Sequence, residues 1–267
     1  MRRGLFVATE LTPTTRFSNL AETYAKHRPS YPAAAIDYIV TTAELSDMSL
    51  VADIGAGTGI STRLLAERGI PVIGIEPNEP MRTQAEQTSW PGPGPQPRYQ
   101  NGTGEATGLP DASCDAVLSA QAFHWFDGPH ALAEFERILK PGGWVFLMWN
   151  ERDPSAPFTR AYGDVFLQFT DAAEIEGKRY RAGDILLNWP HLIDVERVSF
   201  KHKQVMDEAG LIGRAASVSY APSDPVENAR LAADLRALFG KWQKDGHVVL
   251  HYVTTITAAR KAPTAAR

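Results

Sequence analysis

Val51-Ala52-Asp53-Ile54-Gly55-Ala56-Gly57-Thr58-Gly59-Ile60-Ser61-Thr62 is the stretch on which the fold turns. A short apolar run, Leu50 to Ile54, stops at three glycines on alternate positions. Helical spacing follows, with Ile60, Leu64 and Leu65 on one face and the small Ala66 between turns. Strand, tight glycine turn and helix make the first unit of a βαβ fold. Glycine is required where a backbone takes a positive φ or where another group approaches without a Cβ in the way. Three of them beside a helix N-terminus form a surface for a nucleoside-containing ligand.

The spacing narrows that ligand. A dinucleotide fingerprint places its glycines at the first, third and sixth positions, and here the sixth position is Ile60. Glu76 closes the next apolar run, Pro71-Val72-Ile73-Gly74-Ile75. An acid at the end of the second strand lies where a ribose cis-diol would sit and can accept from both hydroxyls. The alternative is a generic α/β glycine turn with Glu76 as a solvated strand end. The segment Asp53 to Gly59 resembles the first motif of the class I S-adenosylmethionine (SAM) methyltransferases. That resemblance implies SAM as cofactor, held by Asp53, Gly55, Ala56, Gly57, Thr58, Gly59 and Glu76. It also implies a Rossmann-like, doubly wound α/β sheet of seven mostly parallel strands with the last antiparallel.

Composition bounds the function classes. The 267 residues suit one α/β domain with additions. A net charge of −4 without a basic run gives no support for a nucleic-acid partner. The single cysteine, Cys114, excludes an intramolecular disulfide and a Cys-rich zinc site, and suits a reducing compartment. No His/Cys/Asp cluster has ligand spacing, which agrees with a chemistry that demands no metal. Met1-Arg2-Arg3 precedes too few apolar residues for a signal-peptide core, and the longest apolar run, Trp144 to Trp149, is too short for a membrane span. The expected setting is cytoplasmic, as a monomer or homodimer.

Residues 1–17 lack periodicity, and Leu20 to Lys26 has the spacing of a short helix. Pro32 then opens a helix through Ile36, Ile39 and Val40, in the first-turn position where proline is tolerated. Residues 1–43 are read as a helical lid over the glycine turn, 44–152 as the SAM-binding core, and 153–267 as substrate-lid helices plus the strands that complete the same sheet. Between the two N-terminal helices, Tyr24 to Pro32 is aromatic, basic and proline-stiffened. It is either a plain connector or a lid whose Tyr24 and Arg28 face the methionine carboxylate of SAM. Related small-molecule methyltransferases carry a similar stretch, which favours the lid and gives Tyr24 a place beside the reacting groups.

After Glu76, Asn78 is suited to cap a helix holding Met81 and Ala85. The resemblance places Pro77 and Met81 against the adenosine, although Met81 reads equally well as core filler. Trp90 to Pro97 is a Pro/Gly-rich loop within the domain, and Arg98-Tyr99-Gln100 a short third strand. Thr103, Gly104 and Glu105 then stand where the family reads the adenine edge, before a Leu-Pro turn leading to the fourth strand, Ala116 to Ser119. Ala120 and Gln121 close that strand on the cofactor side. Beyond them come Phe123, His124, Trp125 and Phe126, at the carboxyl end where open sheets bind ligands. One of the two phenylalanines is expected in the core. Trp125 is expected to wall the acceptor pocket, and His124 is the candidate base, since imidazole titrates near neutrality.

His130 to Leu139 reads as a helix stopped by Lys140-Pro141-Gly142-Gly143, and Trp144 to Trp149 as the fifth strand. Further on, a helix is expected over Phe158–Phe169, a strand over Val195–Phe200, helices over Lys203–Ala209 and Pro225–Gln243, and a last strand over His247–Ala258. The whole resembles the type 11, trans-aconitate-type methyltransferases, which implies transfer of a methyl group from SAM to an O-, N- or C-nucleophile of a small molecule by in-line displacement. Two other readings remain open at this stage: a SAM-binding protein without turnover, and a nicotinamide-dependent oxidoreductase.

Overall fold

The computed structural model describes residues 27–169, 181–218, 220–222 and 224–263. Tyr24, the helix expected over Leu20–Lys26 and the last four residues lie outside them. Seven strands form one sheet: β1 (Val51–Ile54), β2 (Val72–Ile75), β3 (Arg98–Gln100), β4 (Cys114–Ala120), β5 (Leu139–Arg152), β6 (Leu192–Met206) and β7 (Val248–Lys261). Their order is β3-β2-β1-β4-β5-β7-β6. β7 runs antiparallel to both β5 and β6, and the other pairings are parallel. The Rossmann-like, mostly parallel sheet with an antiparallel last strand is the fold expected from the sequence.

Side chains alternate across the strands, and each face buries its own set. One face gathers Ala52, Ile54, Ile75, Val117 and Leu147 under α4 (Gly128–Ile138), which contributes Leu132, Phe135 and Ile138. The other gathers Val51, Val72, Leu118, Phe146 and Met148 under α1 (Ala33–Thr42) and α2 (Ile60–Ala66), through Ile36, Ile39 and Leu65. Burying each of the Val, Leu, Ile, Phe and Met side chains among them stabilises the fold by about 1.5–3 kcal/mol relative to leaving it in water. α3 (Glu79–Gln87) starts where Asn78 Oδ1 accepts from the Met81 N–H at 3.0 Å, the cap read from the sequence. A third cluster lies past the carboxyl end of β5. There α5 (Pro157–Phe166), α6 (Glu208–Ala216) and α7 (Pro225–Trp242) pack Tyr162, Phe166, Leu211, Leu231 and Leu235 against Leu250 and Tyr252 of β7. No helix among the described residues is long and apolar enough to cross a membrane.

Two local expectations are corrected. Lys140-Pro141-Gly142-Gly143 does not separate a helix from a strand; β5 starts at Leu139 and carries these residues as an irregularity. Cys114 pairs with Leu139 while Ala116 pairs with Trp144, so the extra residues bulge out of the ladder. Pro141 lacks an N–H for the ladder and Gly142 takes φ +81°, and a bulge accommodates both. The helix expected over Lys203–Ala209 is instead strand as far as Met206, with α6 starting after Asp207. Asp207 Oδ1 accepts from the Gly210 N–H at 2.7 Å, and that cap sets the helix start where apolar spacing alone misplaced it.

Candidate functional site

The glycine turn joins β1 to α2, with φ of +73° at Gly55, +57° at Gly57 and +78° at Gly59. The N–H groups of Gly55 and Ala56 both donate to the Ile75 carbonyl, which fastens the turn to β2. The glycines differ in what surrounds them. A Cβ on Gly55 would stand 2.4 Å from Ala122 Cβ, and one on Gly59 would stand 2.2 Å from the Tyr99 hydroxyl. Those two positions are filled by the protein itself. A Cβ on Gly57 would meet only Met81 Sδ, at 3.8 Å. Gly57 is therefore the open position of the turn, with Met81 as its neighbour.

Glu76 faces that opening from the end of β2. Its Oε2 accepts from the Gly57 N–H and its Oε1 from the Asn78 N–H, each at 2.8 Å. The side chain is almost fully buried, and burial raises its pKa above the ordinary carboxylate value, against the two N–H donors that pull it down. Each oxygen keeps a further lone pair, the capacity a vicinal diol needs. Pro77 follows at the half-buried loop start, and Arg82 Nη1 donates to the Glu76 carbonyl at 2.7 Å.

Asp53 is wholly buried beneath the turn. Its Oδ2 accepts from the Ser61 and Thr62 hydroxyls at 2.7 and 2.6 Å, tying β1 to the first turn of α2. Its Oδ1 and the buried Thr58 Oγ1 have no hydrogen-bond partner. Burial pushes the Asp53 pKa up to about 6 from 3.8. Between these values the folded chain keeps a proton that the unfolded chain has released, so stability falls as pH rises through this window and levels off above it. The span corresponds to about 3 kcal/mol. Asp53→Asn is expected to remove that loss. Urea unfolding at pH 4.5 and pH 7 should show the variant gaining on the wild type at the higher pH, and parallel behaviour of the two proteins would contradict the assignment.

Thr103, Gly104 and Glu105 form a compact turn after β3. Thr103 bonds Ala106 through both its N–H and its hydroxyl. A Cβ on Gly104 would lie 2.7 Å from the Phe126 ring, and Glu105 Oε1 accepts from the Asp127 N–H at 2.8 Å. Phe126 thus sits against both Gly55 and Gly104, while Phe123 is buried in the core. Spacing alone could not tell the two rings apart. The small Ala122 that lets the loop close onto Gly55 was also missed; the alternation Ala120-Gln121-Ala122 was the available signal.

Other expected residues turn to protein partners. Gln121 takes a φ of +56° and its Nε2 donates to the Asn150 carbonyl at 3.0 Å. Arg28 Nη2 donates to the Ser217 carbonyl at 2.7 Å, at the end of α6. The segment around Arg28 is held over the carboxyl end of the sheet by Gln204 Nε2 on the His27 carbonyl and Asn150 Nδ2 on the Ser30 carbonyl. Ala120 ends β4, buried. His124 and Trp125 follow in a short 3-10 turn, their rings 5.1 Å apart. Trp149 Nε1 donates to His124 Nδ1 at 3.4 Å. That bond puts the proton of a neutral ring on Nε2, so the basic nitrogen already has a donor on it. As a base, the sequence-derived role, His124 would have to give up this bond.

Comparison with known proteins follows the same lines. A family model described as a methyltransferase domain matches residues 52–147. An uncharacterized methyltransferase of Mycobacterium tuberculosis is 39% identical over 149 residues, 56% of this chain and 58% of the relative. The chain therefore spans little more than half the length of that relative. An uncharacterized methyltransferase of Geobacillus thermodenitrificans is 30% identical over 189 residues, 67% of this chain and 82% of the relative. A solved structure from Anaeromyxobacter dehalogenans, provisionally classed as a type II methyltransferase, shares the fold with a TM-score of 0.62 at 24% identity, covering 88% of this chain and 99% of that one.

Proposed function

This chain belongs to the class I SAM-dependent methyltransferases, and we propose that it binds SAM at the glycine turn and methylates a small-molecule acceptor. The observation that carries the reading is the buried Glu76 carboxylate against the open face of Gly57. A nucleoside fits this donor set: the carboxylate takes the ribose hydroxyls, the backbone of Gly57 admits close approach, and Met81 and Phe126 offer apolar surface on either side. When bound, SAM supplies an electrophilic methyl for in-line displacement by an O-, N- or C-nucleophile, leaving S-adenosylhomocysteine.

The chain's own part is positioning. Holding a nucleophile in line at about 3 Å removes much of the entropic barrier without any covalent group from the protein. With its Nδ1 engaged by Trp149, His124 is assigned to orienting the acceptor and not to removing its proton. His124→Ala is then expected to leave SAM affinity unchanged and to lower turnover by about 5–15-fold, the scale of one oriented hydrogen bond. Loss of a general base would cost about 100–10,000-fold, so a fall of that size, with the loss of an inflection near neutral pH, would restore the base role.

The direct test is calorimetric titration of the full chain with SAM, S-adenosylhomocysteine and NAD. One site for each of the first two and none for NAD is expected. Heat with NAD and none with SAM would reverse the reading. SAM binding with no S-adenosylhomocysteine formed across a broad acceptor panel would reduce it to a binding protein.

A further inference from the structure

Asn150 joins three separate parts of the chain at the end of β5. Its Nδ2 donates to the Ser30 carbonyl at 3.0 Å, its Oδ1 accepts from the Thr254 hydroxyl at 2.6 Å, and its main-chain carbonyl accepts from Gln121 Nε2 at 3.0 Å. The Ser30 carbonyl can only accept, so the amide must turn its NH2 that way and leave its oxygen to Thr254. Thr254 is fully buried and stands opposite Asn150 in the β5–β7 pairing. Opposite residues of an antiparallel pair lie side by side on one face of the sheet, so the threonine hydroxyl fixes the direction in which the amide points.

Ser30 belongs to a strap, residues 27–31, that crosses the carboxyl end of the sheet ahead of α1. Gln204 and His202 of β6 hold it at the His27 carbonyl and the Ser30 backbone, Arg28 reaches the Ser217 carbonyl, and Tyr31 is buried with Ile36. Asn150 is the fastener on β5, beside the strand that ends in Gln121. Successive residues of a strand face opposite ways, and Trp149 accordingly holds the His124 ring on the other side of the sheet. Gln121 is pinned to the same piece of β5 twice, by its N–H on the Met148 carbonyl at 2.8 Å and by its Nε2 on Asn150. A non-glycine residue keeps a φ of +56° only where its surroundings fix it, and these two bonds do so. One short end of β5 thus carries the strap on one face and the His124 loop on the other.

We propose that Asn150 is a positioning residue for the methyl-transfer site: it ties the strap to the end of β5 and thereby holds the loop from Gln121 to His124 against the bound cofactor. In this role it touches neither cofactor nor acceptor and acts through Ser30 and Gln121. Freeing the strap from Asn150 loosens the end of β5, and the loop that depends on it loosens too. The bound cofactor then escapes faster, while the path by which it enters is unchanged. Retention of the cofactor rests on the function proposed above; attachment of the strap does not.

Two measurements on the full chain test this. A nitroxide on Ser30→Cys in a Cys114→Ala background reports the strap without any ligand, because the Ser30 side chain is exposed and its carbonyl is kept. The spin-label spectrum is expected to gain a fast component in Asn150→Ala, a smaller one in Thr254→Val and none in Thr254→Ser, which keeps the hydroxyl. The second measurement is stopped-flow tryptophan fluorescence of S-adenosylhomocysteine association and release. Asn150→Ala is expected to speed release about 3–10-fold, the scale of one hydrogen bond, with the association rate unchanged. Thr254→Val should speed it less, and should add nothing in the double variant with Asn150→Ala, because it acts through the same amide.

An Asn150→Ala label as slow as the wild-type label overturns the attachment, with or without a cofactor. Unchanged release, affinity lost through slower association, or a Thr254→Val effect that adds in full to that of Asn150→Ala overturns the positioning role. A lowered Tm with unchanged release makes Asn150 a structural group and also overturns it. If Asn150→Ala does not fold, wild-type label mobility and wild-type release in Thr254→Val decide against the proposal. S-adenosylhomocysteine that fails to bind the wild type strikes the methyltransferase reading and this role with it. Binding to the wild type with unchanged release from the variants strikes this proposal alone.

Discussion

Glu76→Ala is expected to weaken SAM binding by about 1–3 kcal/mol, which is about 5–150-fold in Kd, measured by titration on folded protein. The size follows from the two roles of one buried carboxylate. It accepts from the Gly57 and Asn78 N–H groups and so shapes the loop, and it retains lone pairs for the ribose hydroxyls. Alanine removes both, so Tm should fall as well. Glu76→Gln, which keeps the shape and one acceptor oxygen, should retain more of the fold than of the affinity. Because burial holds the Glu76 pKa above the ordinary carboxylate value, wild-type affinity should also drop on acidification before an exposed glutamate would titrate. Unchanged affinity in folded Glu76→Ala would remove this residue from the cofactor site.

The glycine turn offers a second large effect, through a contrast between neighbouring positions. Gly55→Ala should destabilise the fold by about 2–4 kcal/mol, since it adds a methyl in a packed place and a Cβ at a left-handed φ. The clash is with Ala122 Cβ at 2.4 Å, and neither backbone can retreat easily because Gly55 is bonded to Ile75. Gly57→Ala meets no such obstacle and should cost only about 1–2 kcal/mol, the strain of its positive φ. Its effect should fall instead on SAM affinity, because the added methyl occupies the face left open. Denaturant melts and titrations of the two variants should therefore rank in opposite order. If Gly57→Ala binds SAM as the wild type does, the open face is not where the cofactor lies.

Much of the candidate site was legible because its parts are local. The strand, glycine turn and helix from Val51 to Thr62 lie within a dozen residues, and Glu76 closes the adjacent strand. Backbone conformation there is dictated by which residues tolerate a positive φ, and that is written in residue type. Gln121 was named from its place at the end of a strand, and Glu105 and Arg28 from a family resemblance of the stretches that carry them. The direction a side chain takes depends on partners far away in sequence. Gln121 turns to Asn150, Glu105 to Asp127 and Arg28 to Ser217, and no spacing rule encodes those partners. The misplaced start of α6 has the same origin: β6 continues to Met206 because β7 supplies a ladder as far as Val248.

By itself the sequence determined the class of fold, the order of the βαβ units and the glycine turn with its acid, since these follow from hydrophobic period, glycine placement and short-range geometry. Only the tertiary structure decided which glycine stays open, which phenylalanine is fully buried and which nitrogen of His124 is engaged. Those facts depend on contacts between segments dozens of residues apart, where packing and desolvation, and not local propensity, set the energy.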